Sequence, residues 1–287
     1  MMRLSRSFEV ICPDNRGVGG SALGEGTLTI DAMAADLEAL LDELRLERVV
    51  VAGWSMGGFV AQRLAVRAPA RVAALALLST DPGGPAAVLP DPAVWAKLID
   101  HSGAPRERAS RLISLLFPPA LAVQIDEQFG EVVAAARAAL SLEALRAQEE
   151  AIGAWHAEEQ IGPDPDEAPP VLVLHGEEDA VIPAANADLL AARWPGSEVE
   201  RFAGGGHAFM AQEPRRVAER LVAFFKAART GKRDSQVVEE SPRRDLGLDA
   251  LRDIGIQVSP APEGAGLDLA NAEVHAMRKE KREAGGS

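Results

Sequence analysis

Short, continuously apolar runs alternate along this chain with longer segments whose apolar residues recur at helical spacing. RVVVAGW (residues 48–54), VAALALLST from Val72 and PPVLVLHG from Pro169 are apolar almost throughout. That is the pattern of strands covered on both faces, as in a parallel sheet. FEVICP (Phe8 to Pro13) and the weaker, more polar SEVERFAG (residues 197–204) complete five predicted strands. Between them, Ile30 to Leu46 carries Met33, Leu37, Leu40, Leu41 and Leu44 on one helical face, with Thr29 or Asp31 as its cap. Further helices are predicted from Gly58 to Ala68, stopped by Pro69, from Pro183 to Trp194, and from Pro214 to Arg229. The alternation predicts an α/β fold: a mostly parallel sheet flanked by helices.

Two stretches break the rhythm. From Asp81 to Glu167 the chain is Ala/Leu-rich and helical in period, bounded by DPGGP and GPDPDEAPP, and an all-helical insertion between two strands reads as a lid. From Thr230 onward, charges of both signs mix with SPAPEGAG and KREAGGS, the composition of a disordered tail with one short helical pattern at Leu246 to Ile254. The expected division is core at 1–80, lid at 81–168, core again at 169–229 and tail at 230–287.

Composition narrows the classes. A formal net charge of -13 over 287 residues argues against nucleic acid and anionic membranes as partners. The single cysteine, Cys12, cannot form an intramolecular disulfide and makes a thiolate metal site an unfavoured reading. MMRLSRSFEV lacks an apolar core behind its basic residues, so no secretory signal is read there, and no apolar run reaches the roughly 18 residues of a membrane span. The expectation is a cytoplasmic protein needing neither cofactor nor metal.

The chemistry concentrates at VVVAGWSMGGF. G-x-S-x-G between a buried strand and an amphipathic helix places Ser55 on a sharp turn with its hydroxyl above the sheet. Gly53 and Gly57 are expected to be there because side chains two residues either side would clash. The backbone N–H of Met56, at the positive end of the following helix, would face a developing oxyanion. A serine needs a base, and the base an orienting acid. Of five histidines, His207 in AGGGHAFM lies where a base should be, beyond the last strand; His175 also suits a core role, and His101, His156 and His275 suit packing or solvent. Asp179, after PVLVLHGEE, is the expected acid, with Glu177 and Glu178 as near rivals and Asp81 as a distant one.

With those motifs in place, Phe8 to about Ala228 resembles the α/β-hydrolase-fold family of the esterase, lactonase and cofactor-free haloperoxidase type. The resemblance rests on DNRGVGGS, GWSMGG, LHGEEDAVIP and GGGHAFM together. It implies Ser55 as nucleophile, Asp179 as acid, His207 as base, Met56 N–H as an oxyanion donor, and a structural loop at Asp14, Arg16 and Gly17. The implied substrate is a small ester, lactone or thioester; perhydrolase chemistry would use the same residues. Apolar lid residues (Trp95, Leu98, Leu112, Leu115, Leu116, Phe117, Phe129, Trp155) either roof an apolar pocket or pack lid helices together.

The resemblance also implies strands before Phe8 and a His-Gly loop carrying a second oxyanion N–H, which MMRLSRS is too short to supply. The fold is therefore expected as an N-terminally truncated form. FEVICP would then pair directly with RVVVAGW, or both would keep apolar edges that a second copy of the chain could cover, giving a homo-oligomer or a catalytically impaired interaction protein.

Overall fold

The computed structural model describes residues 3–230. The predicted tail, with its short helix, lies outside them. Among the described residues four parallel strands form one sheet in the order β1 (Val49–Trp54), β2 (Val72–Leu78), β3 (Val171–Gly176) and β4 (Glu198–Phe202). Alternation along β2 divides the core. Leu75 and Leu77 face one side with Val171 and Val173, while Ala74, Ala76 and Leu78 face the other with Leu172 and Leu174. Both sides are covered, which is why the central strands read as unbroken apolar runs.

On the first face lie α1 (Ile30–Glu43), α2 (Met56–Arg67) and α7 (Asn186–Arg193), through Met33, Phe59, Leu64 and Leu190. On the second lie α8 (Phe209–Gln212) and α9 (Pro214–Thr230), whose Val217, Leu221, Phe224 and Phe225 pack with Phe202 and Phe209. Local chemistry sets the helix starts. Thr29 Oγ1 accepts the N–H of Ala32 at 3.0 Å, so Thr29 rather than Asp31 caps α1. No helix of the described residues is long and apolar enough to cross a membrane.

Between β2 and β3 run α3 (Pro92–Leu98), α4 (Pro105–Leu116), α5 (Pro119–Ala138) and α6 (Leu142–Ala157). Asp81 fastens the end of α6 to the end of β2. Its buried carboxylate accepts from Trp155 Nε1 at 3.2 Å and Gly83 N at 2.8 Å, and pairs with His156 Nε2 at 3.0 Å. Trp155 also stacks on Phe59 of α2, centroids 5.2 Å apart. Trp155 and Leu115 thus belong to the main core. Both pack into it.

One predicted strand is not formed. Phe8 to Pro13 has no strand structure, and β1 pairs only with β2 among the described residues. A strand needs a partner ladder, and both ends of this segment are committed elsewhere. Phe8 N donates to Leu4 O at 3.0 Å and its ring meets Phe225 edge-on. At the other end Asp14 is tied into its own loop, accepting from Gly20 N at 3.2 Å while its carbonyl takes the Ser21 hydroxyl. Direct pairing of FEVICP with RVVVAGW does not occur. The loop at 14–21 is structural, as expected: Arg16 forks onto Asp36 of α1 at 2.5 and 2.6 Å.

Candidate active site

At the carboxyl end of β1 the chain turns into α2 through Ser55, held at φ 53°. A non-glycine residue there carries strain, which the surrounding packing must sustain. That packing is visible. Ser55 N donates to Leu78 O at 3.0 Å, Gly58 N to Ser55 O at 2.8 Å, and Thr80 Oγ1 to the same Ser55 carbonyl at 2.8 Å. A Cβ on Gly53 would press on Gly57 O, and would come within 2.6 Å of Gly57 C and 2.7 Å of Gly58 Cα. Gly57 is different: nothing lies within 4 Å of its would-be Cβ. The expectation of a clash at Gly57 is therefore corrected. On the helix side the crowded residue is Gly58, whose Cβ would press on Thr80 Oγ1 and come within 2.6 Å of Thr80 Cβ and Cγ2. Met56 is the first residue of α2.

Asp179 and His207 meet. His207 Nδ1 lies 3.0 and 2.9 Å from the two oxygens of Asp179, and both residues are buried. Asp179 Oδ1 also accepts from Val181 N at 2.9 Å and Ile182 N at 2.8 Å. Burial by itself would raise the pKa of this carboxyl. Hydrogen bonds from His175 and His207, the His207 charge and the Ile182 N–H outweigh it and hold the group well below the usual carboxylate range. An ionised Asp179 fixes the Nδ1–H tautomer of His207 and leaves Nε2 as the basic nitrogen. The Ser55 hydroxyl makes no hydrogen bond to His207 among the described residues.

The rivals are placed elsewhere. Asp81 pairs with His156, while Glu177 and Glu178 are exposed. His101 bonds Glu149 at 2.8 Å within the helical insertion. His175 is wholly buried, with Nε2 at 2.8 Å from Ile182 O and 3.4 Å from Asp179 Oδ2. It is thus a core histidine that also shares its proton with the acid, a contact its place directly before Gly176 does not announce. Two further neighbours were not singled out from sequence: Thr80, on the Ser55 carbonyl, and Trp54, whose indole N–H donates to His207 O at 3.0 Å. Trp54 stands inside the G-x-S-x-G motif, so the signal was present at the residue without its partner.

A four-stranded parallel sheet, a strained serine turn before α2 and an acid–histidine pair at the sheet's carboxyl end define a class. The chain belongs to the alpha/beta hydrolase fold family, whose model matches residues 3–214. A hydrolase from Pseudomonas aeruginosa PA01 is similar in structure, 28% identical with a TM-score of 0.64 over 78% of this chain and 82% of that one. A thermophilic esterase from Thermogutta terrifontis is likewise 28% identical, with a TM-score of 0.58 over 79% and 83% of the two chains. An uncharacterized protein of Mycobacterium tuberculosis is 28% identical over 268 residues, covering 85% of this chain and 75% of its own length.

Proposed function

We propose that the chain is a serine hydrolase that cleaves a small carboxylic ester, lactone or thioester through an acyl-enzyme. The observation that carries the reading is the buried Asp179–His207 pair at 2.9 and 3.0 Å, on the same edge of the sheet as a serine held at φ 53°. In this scheme His207 Nε2 takes the hydroxyl proton as Ser55 Oγ attacks the carbonyl carbon. Asp179 stabilises the imidazolium that results, and the Met56 N–H with the α2 dipole faces the oxyanion. The imidazolium then protonates the leaving alcohol, and His207 next activates water to release the acid. The esterase name of a relative 28% identical supports ester over other acyl substrates.

The test is turnover of p-nitrophenyl acetate by the full chain. Loss of activity in Ser55→Ala and in His207→Gln, each with an unchanged melting temperature, supports the scheme; turnover undiminished in Ser55→Ala overturns it. A second reading is a catalytically silent relative that works through binding. What favours it is the Ser55 hydroxyl unbonded to His207 among the described residues. Such bonds often tighten only with substrate in place, so absence of any turnover, rather than the unformed bond, selects the second reading.

A further inference from the structure

Among the described residues β1 and β4 are the two outer strands of the sheet, yet the base beyond β4 must act on the serine beyond β1. Three strand spacings of about 4.8 Å separate them, roughly 14 Å. The loop after β4 therefore travels back across the carboxyl ends of the strands, and its path is pinned at successive points. Glu178 N donates to Gly205 O at 2.8 Å as the loop crosses β3. Gln212 holds it from behind, accepting from Gly206 N at 2.8 Å and donating to Gly204 O at 3.0 Å. Ala208 N donates to Leu116 O at 2.9 Å, at the end of α4. The far end of the crossing reaches β1 at Trp54, whose Nε1–H donates to the carbonyl of His207 itself at 3.0 Å. The same indole faces the imidazole, centroids 5.3 Å apart and planes inclined by 42°.

We propose that Trp54 is a positioning residue for His207, its indole N–H fixing the main chain of the base and its ring supporting the imidazolium. The proposal rests on the reading of Ser55, His207 and Asp179 as the reacting group. Two contacts act together. The hydrogen bond sets how far His207 advances towards Ser55. The ring lies within the roughly 6 Å at which an aromatic face attracts a cation, so its contribution grows when His207 takes the proton. The first holds His207 in place for proton transfer and the second strengthens in the transition state, and neither touches the substrate, so both act on kcat rather than on KM. Trp54 is 42% exposed, and buries little that the fold requires.

The experiment uses Trp54→Phe and Trp54→Ala in the full chain. Trp54→Phe keeps a ring and loses the N–H; with one net hydrogen bond at stake, kcat for p-nitrophenyl acetate should fall about three- to tenfold with KM unchanged. Trp54→Ala should fall further, and both should melt like the parent. A second readout does not depend on turnover. A histidine ring quenches indole emission on close approach, so the emission of the parent minus that of Trp54→Phe should be smaller than the same difference taken in a His207→Gln background. The proposal is overturned if the two differences are equal, or if Trp54→Phe keeps the parent kcat. Should the parent hydrolyse no ester, the proposed function fails on its own, and the emission difference still decides whether Trp54 governs His207.

Discussion

Gly53 and Gly57 flank Ser55 symmetrically in sequence but not in space, and their alanine variants should part company. In Gly53→Ala the new methyl meets backbone only: Gly57 O, Gly57 C at 2.6 Å and Gly58 Cα at 2.7 Å. No flexible side chain can yield, so β1 and the first turn of α2 must separate by several tenths of an ångström. Overpacking costs typically 1–3 kcal/mol, and a backbone-to-backbone clash belongs at the upper end, about 3 kcal/mol. For a folded unit of this size each kcal/mol moves Tm by about 2–4 °C, giving a loss of about 6–12 °C. In Gly57→Ala the methyl meets nothing within 4 Å. Alanine is also the better helix former, by up to about 1 kcal/mol, so Tm should hold or rise by up to about 4 °C. Thermal melts followed by circular dichroism decide the matter. Equal losses in the two variants, or a larger loss in Gly57→Ala, would refute the packing argument for the turn.

Asp179→Asn should keep the fold but leave His207 in the wrong tautomer, lowering kcat by roughly 10³–10⁴ in steady-state ester assays. The folded pKa of Asp179 is depressed, so its contribution to stability is present above the unfolded carboxylate pKa and lost as pH falls below it. Chemical denaturation between about pH 6 and pH 3 should therefore show a shallower decline for Asp179→Asn than for the parent. Asp81→Ala removes the acceptor of Gly83 N, Trp155 Nε1 and His156 together, and should cost about 2–4 kcal/mol. Limited proteolysis should then cut α3 to α6 before the rest of the fold; unchanged cutting would count against Asp81 as the fastening point.

Where burial is two-sided, the sequence spoke plainly. Leu172 and Val173 lie on opposite faces yet both are fully buried, so the run PPVLVLHG had one reading. The placement of Ser55 and Asp179 was legible for a related reason: each follows an apolar run, and a polar residue just past a buried strand sits at the sheet's edge, whereas His207 follows a polar strand and was marked by its glycine-rich loop. FEVICP shows the limit of that logic. Its composition suits a strand, but a strand exists only with a partner, and pairing is not written in the segment itself. Asp81 and His156 show another limit. They stand 75 positions apart, and nothing local marks either as the other's partner. For Trp155 pocket lining and packing both stayed open, because the spacing of apolar residues on a helix does not tell which body the face will meet. Gly57 failed because a motif records what is tolerated, not which contact forbids the alternative.

The proposed acyl-enzyme chemistry requires Ser55 to be a nucleophile. Intact-mass spectrometry of the full chain after exposure to a fluorophosphonate, followed by peptide mapping, answers this without knowing the substrate. One adduct per chain is expected, mapped to Ser55, absent in Ser55→Ala and formed far more slowly in His207→Gln. An adduct that persists in Ser55→Ala, or a parent chain that takes up no label at all, would contradict the serine mechanism.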